Sequence, residues 1–149
     1  MTEASGATPP DMIQIIGREL VGLAPEGWVT GTAVFMRVGN TAQLQVLAFD
    51  AQGGVLGGSP SRTMSQAFNT LREMLAQPGK GAFLTATYNL RADGELSVDF
   101  NYDDEPAFGA PIDPSHYVEE LQQHPRRPEA IPTWWQERVA QAHRSSGAE

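Results

Sequence analysis

Residues 83–102 read FLTATYNLRADGELSVDFNY, and this stretch decides the expected fold. Apolar and polar residues alternate in both halves, as they do in strands with one buried face. Asp93 and Gly94 form a turn signal between the halves, so the stretch predicts an antiparallel hairpin with strands at 83–90 and 95–102. One face of each predicted strand is apolar and is expected to be buried. The residues on these faces are Leu84, Ala86, Tyr88 and Leu90 in the first strand, and Leu96, Val98, Phe100 and Tyr102 in the second.

Two further strands and a short third one are predicted before the hairpin. Residues 29–38 and 41–50 alternate loosely between apolar and polar residues, and the turn signal Gly39–Asn40 separates them. A short strand is predicted at 55–56, between two pairs of glycines. Together with the hairpin, these segments predict an antiparallel sheet of four or five strands.

Four helices are predicted around these strands. Apolar residues three and four positions apart mark one helix before the first strand and one before the hairpin, and two shorter helices follow the hairpin. The predicted helix starts are Thr8 or Pro9, Ser61 or Thr63, Asp113, and Pro132. The sequence therefore predicts an α+β fold with helices packed on the sheet, in the order helix, strands, helix, strand hairpin, helices.

Length and composition indicate one cytoplasmic domain. The 149 residues suit a single hydrophobic core, so we expect one domain over 1–149, with disordered tails at 1–8 and 145–149. The chain has no cysteine, which excludes disulfides and thiolate metal sites. An apolar run of about 18 residues and a secretion signal are both missing, so we expect no membrane partner.

Acidic residues are concentrated in one part of the chain. The net charge is −8, and nine of the eighteen acidic residues fall between 93 and 120, where no lysine or arginine occurs. Such a segment repels phosphate backbones, which argues against nucleic-acid binding. It would attract a basic protein surface, although a solvated face that aids solubility explains the same charges.

Part of this acidic segment has the spacing of a calcium-binding loop. Asp99-x-Asn101-x-Asp103 matches the first three ligands of such a loop. That loop requires glycine at the next position, where this chain has Asp104. It also requires a bidentate glutamate at its twelfth position, where this chain has Ala110. The spacing therefore predicts no metal site.

A catalytic site is not indicated either. Residues 103–105 are three adjacent carboxylates, but acid–base catalysis needs a pocket and a second converging group, and the sequence supplies neither. Nucleophile and phosphate-loop motifs are also missing. The other candidates fit surface, capping or turn positions: His116, His124, His143 and Lys80. We therefore predict no enzyme activity and no cofactor.

Two pairs of adjacent residues near the C-terminus are further candidates for a functional role. Trp134 and Trp135 are neighbours on a predicted helix and cannot face the same way, so one is expected in the core and the other at a rim or interface. Arg126 and Arg127 lie in a proline-rich connector and are expected to be solvated.

The ordered series of motifs resembles the YezG-like immunity protein family. These motifs are PEGW at 25–28, GKGAF at 79–83, LSVDFNYDDEP at 96–106 and IPTWW at 131–135, and the resemblance covers roughly residues 12–142. Its most specific part is the F-x-Y-D-D run at 100–104.

This resemblance implies an α+β fold without catalysis and a cytoplasmic antitoxin of a bacterial polymorphic toxin system. Such a protein binds and blocks a toxin domain, often a nuclease. The resemblance and the acidic segment together make a toxin domain the expected partner of a chain that we expect to be a monomer. The candidate partner-binding residues are Asp99, Tyr102, Asp103, Asp104, Glu105 and Trp134.

Two other functions remain open. A small-molecule-binding or hydrolytic domain could use the carboxylates at 99–105, provided that Asp99 or Asp103 meets a histidine or arginine in a concave site. An adaptor module could self-associate through an exposed sheet edge or through Trp134.

Overall fold

The helices and strands occur in the predicted order. A computed structural model of the chain describes residues 8–147. Its five strands form one antiparallel sheet in the order β3-β2-β1-β4-β5, so the predicted α+β fold is confirmed. In chain order the elements are α1 Pro9–Leu23, β1 Thr30–Val38, β2 Thr41–Phe49, β3 Val55–Gly57, α2 Arg62–Leu75, β4 Thr85–Arg91, β5 Leu96–Asn101, α3 Ser115–Gln123, a short 3-10 helix Pro128–Ala130, and α4 Thr133–Gly147.

The helix starts follow from local capping. Thr8 caps α1 in a capping box, in which its hydroxyl accepts from the backbone N–H of Asp11 and the Asp11 carboxylate accepts from the backbone N–H of Thr8. The Ser61 hydroxyl accepts from the backbone N–H of Met64 and so caps α2. Asp113 was predicted as the cap of α3, but that helix begins one residue later than expected, and the Asp113 carboxylate accepts from the backbone N–H of Ser115.

The predicted disordered tails lie mainly outside the described residues. Positions 1–7 and 148–149 are not described, whereas Thr8 caps α1 and residues 145–147 belong to α4.

The hairpin at 83–102 forms as β4 and β5, but its second strand is less buried than predicted. The four apolar residues predicted for the first face are all buried. Leu96, in contrast, is 42% exposed, and Val98, Phe100 and Tyr102 are only half-buried. The reason is the strand order, because β4 lies between β1 and β5 while β5 is at the edge of the sheet.

The described residues divide into two compact units. The first contains residues up to Phe35, Leu44–Leu75 and Ala86–Asp99. The second contains Met36–Gln43, Ala76–Thr85 and residues from Phe100 onward. The division falls inside β1, β2, β4 and β5. The expectation of one domain over 1–149 stays a prediction.

The first unit has an aromatic core beneath two helices. The ring of Phe68 on α2 stacks on Phe35 of β1 at 5.2 Å between centroids and meets the edge of Tyr88 at 6.5 Å. Ile16 and Leu20 are the buried residues of α1. The apolar spacing that predicted α1 and α2 therefore marks their buried faces.

The second unit has its own core. Val38, Leu84, Tyr117 and Trp135 are buried together. Partly buried apolar side chains surround them, and these are Phe108, Ile112, Leu121, Ile131, Trp134 and Val139. This cluster connects α3 and α4 to the ends of the strands in that unit.

A close approach in the first unit depends on glycine. A Cβ atom at Gly17 of α1 would lie 2.6 Å from the hydroxyl oxygen of Tyr88. That hydroxyl is fixed because it donates to the carbonyl of Ile13 at 2.9 Å, and burial raises the Tyr88 pKa to about 12. Gly22 on the same helix has open space around it.

We expect Gly17→Ala to lower the free energy of unfolding by about 1 kcal/mol, because overpacking against Tyr88 outweighs the gain in helix propensity. Gly22→Ala should raise it by about 0.5 kcal/mol. Urea unfolding measures both. In a Tyr88→Phe background the obstructing oxygen is absent, so Gly17→Ala should no longer destabilise; a loss of the same size there would contradict the close approach.

Candidate functional site

The chain turns sharply where β5 ends. The side-chain oxygen of Asn101 accepts from the backbone N–H groups of Asp103 at 3.1 Å and Asp104 at 2.9 Å. Its amide nitrogen donates to the Asp104 carboxylate at 2.8 Å. Asparagine side chains commonly form turns in this way. This turn therefore ends the strand. We refer to residues 103–105 as the acidic turn.

Arg126 lies beneath the acidic turn. Its side chain is only 1% exposed, and its guanidinium donates to the carbonyl oxygens of Ala130 at 3.0 Å, Ala82 at 3.3 Å and Tyr102. The expectation that Arg126 is solvated is wrong, because three separate segments direct carbonyl groups at one guanidinium. Arg127 does extend into solvent, with its side chain 59% exposed.

The same guanidinium contacts a carboxylate and an indole ring. One of its nitrogens donates to Asp103 at 3.1 Å, and its central carbon lies 4.5 Å from the ring centroid of Trp135. The Asp103 side chain is nevertheless 76% exposed. Arg126 is therefore buried on the inner side of the turn, while the carboxylate that it holds faces outward.

Glu105 is held by a second arginine. Arg138 on α4 donates to its two oxygens at 2.8 Å and 3.0 Å, and the Tyr117 hydroxyl donates to it at 3.0 Å. The bidentate bonds from Arg138, together with the bond from Tyr117, lower the pKa of Glu105 despite its partial burial. Burial and the neighbouring Glu105 raise the pKa of Tyr117.

The two tryptophans separate as predicted into one core residue and one more accessible residue. Trp135 is fully buried, and its indole N–H donates to the carbonyl of Tyr117 at 3.1 Å. Trp134 is half-buried, stacks on Trp135 at 5.6 Å, and donates to the carbonyl of Asp103 at 2.8 Å. Trp134 is therefore attached to the acidic turn, and its role in partner binding stays a prediction.

The second unit brings five of the six candidate residues together. These are Tyr102, Asp103, Asp104, Glu105 and Trp134. Asp99 is exposed on β5 and belongs to the first unit. Sequence reasoning missed Asn101, Arg126 and Arg138 as the residues that position the turn. Only Asn101 carried a local signal, since an asparagine side chain commonly forms a turn by bonding to the backbone two residues further on, here at Asp103.

Arginines from outside residues 93–120 offset part of the negative charge in that segment. Arg126 and Arg138 partly offset the charges of Asp103 and Glu105 in the second unit. In the first unit, Arg91 lies 3.4 Å from Asp93 and 3.5 Å from Glu95. Asp104 is different, because its partner in the turn is a neutral amide. Its described side-chain bond therefore brings no positive charge to the carboxylate.

Glu120 belongs to the same acidic segment, but it is buried and stabilises the fold. It is buried, accepts from the backbone N–H of Gly39 at 2.8 Å, and lies 3.3 Å from the ring nitrogen of His124. His124 ends α3 by donating its backbone N–H to the carbonyl of Glu120. Surface or capping positions were expected for the histidines, and His124 is the residue that caps the C-terminal end of α3.

Two open hollows adjoin the acidic turn. One, of about 480 Å³, is bordered by Glu105, Tyr117, Arg138 and the loop that follows Pro106. The other, of about 410 Å³, is bordered by Tyr102 and Asp103 with residues from neighbouring loops. Those further residues are Gln77, Lys80, Glu129, Ala130 and Pro132. The turn thus lies between two concave surfaces.

Residues 8–147 contain neither a cluster of metal-ligating side chains nor a helix that could cross a membrane. Within that range, no three histidine or acidic side chains are grouped so that they could hold a metal ion. The side-chain oxygen of Asn101 and the carboxylate of Asp103, which the calcium-loop spacing would use, take part in the turn and in the bond to Arg126. No helix in the same range is long and apolar enough to cross a membrane.

Comparison with known proteins adds no family assignment. The chain matches no protein-family model, and no curated protein matches it significantly. The resemblance to the YezG-like immunity proteins therefore stays a prediction.

Arg126→Ala is expected to lower the free energy of unfolding by about 3 kcal/mol, because three carbonyl groups that are buried or partly buried lose this donor. Arg127→Ala, at the adjacent exposed position, should change it by no more than about 0.5 kcal/mol. Urea unfolding followed by tryptophan fluorescence measures both variants. Equal effects of the two substitutions would contradict the structural role of Arg126.

The lowered pKa of Glu105 predicts a loss of stability in acid. A carboxylate whose pKa is lower in the folded state stabilises the fold above its ordinary pKa of 4.5, and this contribution disappears as the pH falls through the lower, folded value. Wild type should therefore exceed Glu105→Gln in stability by a constant amount above about pH 5.5, and by less and less below about pH 4.5. Urea unfolding from neutral to acidic pH tests this.

The exposed Glu26→Gln variant is the control for this experiment, since it should differ little from wild type at any pH. If the difference in free energy of unfolding between wild type and Glu105→Gln stays the same down to acidic pH, the Glu105–Arg138 pair does not stabilise the fold through its charge.

Proposed function

We propose that this protein is an immunity protein that binds a toxin domain and blocks its activity. The observation that carries the proposal is the acidic turn, an outward-facing group of carboxylates that Asn101, Arg126 and Arg138 hold in one arrangement. A surface that is ordered before binding loses little conformational entropy when the partner arrives. The resemblance of residues 96–106 to the YezG-like family also supports the proposal.

The charge of the chain supports a basic partner. Toxins that cut nucleic acids need a positively charged site for phosphate groups, and a fixed set of carboxylates can occupy such a site. The net charge of −8 would also accelerate the encounter with a basic protein. A nuclease toxin is therefore the class of partner that we favour.

Within the acidic turn, Asp104 is the residue that we expect to contribute most to binding. The charges of Asp103 and Glu105 are partly offset by Arg126 and Arg138, whereas Asp104 is exposed and bonded only to the neutral amide of Asn101 among its described side-chain partners. A basic residue of the toxin would gain most from the charge that is least offset.

A small-molecule-binding domain is the second candidate, and one observation favours it. Asp103 meets Arg126 from another segment beside the hollow of about 410 Å³, as that hypothesis required. It ranks second because the Arg126 side chain is buried and donates to three carbonyl oxygens, so a ligand in the hollow has little access to it.

The test is co-expression with the toxin domain that the proposal expects to be encoded beside this chain's gene, followed by pull-down and a growth-rescue assay. Asp104→Lys should weaken the toxin affinity at least about tenfold, because it replaces attraction with repulsion. Glu26→Lys makes the same charge change at an exposed site in the other unit and is the matched control. Glu105 is left intact, since its substitution would disturb Arg138 and Tyr117.

Two results would contradict the proposal. One is failure of the wild-type protein to bind the toxin domain and restore growth. The other is equal toxin affinity of Asp104→Lys and Glu26→Lys, which would remove the acidic turn as the contact surface even if inhibition remained.

A further inference from the structure

The outer edge of β5 is open. The sheet ends at this strand, and no strand within residues 8–147 pairs with its outer side. The four residues at 96–99 belong to the first unit, and all but Val98 are exposed. The opposite edge is formed by β3, which has only three residues. An open edge presents unpaired backbone N–H and C=O groups to which another strand can bind.

An apolar groove adjoins this edge in the first unit. It has a volume of about 720 Å³ and runs along α1, with Ile13 and Val21 on the helix side and Leu90 and Leu96 on the sheet side. Val21 is 52% exposed although it is a large apolar residue, and Leu96 is similarly uncovered. The groove thus offers apolar surface directly beside the open backbone.

The other face of β5 is acidic. Residues alternate in direction along a strand, so Leu96 and Val98 face the groove side while Ser97 and Asp99 face the opposite side. Ser97 lines a separate hollow with Glu95 and Arg91. Glu95 and Asp99 are both exposed. Arg91 lies 3.5 Å from Glu95, so Asp99 is the carboxylate on this face whose charge it does not offset. A strand lying along this edge would therefore meet apolar surface on one face and the Asp99 carboxylate on the other.

We propose that this edge and groove form a second protein-binding site, which takes an extended segment of another protein in which apolar and basic residues alternate. The segment adds to the sheet beside residues 96–99. Its apolar side chains enter the groove, and a basic side chain on its other face lies opposite Asp99, because Arg91 already offsets the charge of Glu95. A second copy of this chain is a poor occupant because its own β5 would bring the same acids into contact. The site lies in the first unit and does not depend on toxin inhibition.

The experiment uses the full chain and a fluorescein-labelled peptide of about ten residues in which valine and lysine alternate. Fluorescence polarisation should show saturable binding, and NMR should place the shifted amides at 96–99. Two control peptides separate the contributions. Alternating valine and glutamate should bind at least about tenfold more weakly because of the acids, and N-methylation of alternate backbone nitrogens should abolish binding because it blocks strand pairing.

Variants of the protein provide the matched comparison. Leu96→Arg places a long charged side chain at the edge of the groove, and Asp99→Lys reverses the charge on the other face of β5. Each substitution should weaken peptide binding about tenfold. Val55→Arg places the same side chain on the opposite edge strand, at a residue that is 64% exposed, and should leave binding unchanged. Urea unfolding confirms that all three variants are folded.

Several outcomes would overturn the proposal. The first is that the valine–lysine peptide shows no saturable binding up to about 1 mM. The second is that the N-methylated peptide binds with the same affinity as the unmodified one. The third is that Leu96→Arg and Val55→Arg change the peptide affinity equally. A wild-type dimer in light scattering that Leu96→Arg converts to a monomer would assign the site to a second copy instead.

Discussion

A guanidinium group that is almost completely shielded from water joins three segments of the second unit. Arg126 lies in the connector before α4, and it bonds to carbonyl groups just before β4, just after β5 and in the connector itself. Without Arg126 these carbonyls would lose this donor, and leaving a shielded polar group without a partner costs more than the bond itself contributes. The indole of Trp135 supports the flat face of the guanidinium and connects it to the core.

The acidic turn depends on this arrangement. Arg126 donates hydrogen bonds to the carbonyl of Tyr102 and to the carboxylate of Asp103. The indole of Trp134 donates to the carbonyl of Asp103, and the side chain of Asn101 accepts from the Asp103 backbone N–H. The carboxylates consequently face outward from a fixed backbone. The three carboxylates differ in how far their charges are offset. Arginines offset Asp103 and Glu105, whereas the side-chain partner of Asp104 among the described residues is the neutral amide of Asn101. The surface that we propose for partner binding is therefore much smaller than the acidic segment 93–120.

Local patterns were sufficient to predict the elements, but not the strand order or the burial of one arginine. Alternation at 83–102 and helical spacing in α1 and α2 report which side chains avoid water, and they predicted these elements to within about two residues. Strand order is set by long-range pairing, so the sequence could not place β5 at the edge or foresee the exposure of Leu96. Arg126 lies among polar residues and prolines, and its burial follows from carbonyl groups distant in sequence.

We infer that Arg126 keeps the acidic turn ordered. Amide hydrogen exchange in the Arg126→Lys variant tests it most directly, because lysine keeps the charge but lacks the planar fork that reaches several carbonyls at once. With Arg127→Lys as the reference, our account predicts that exchange at Asp103 and Asp104 becomes at least about tenfold faster in Arg126→Lys. Exchange at those two amides that is equally slow in both variants would contradict it.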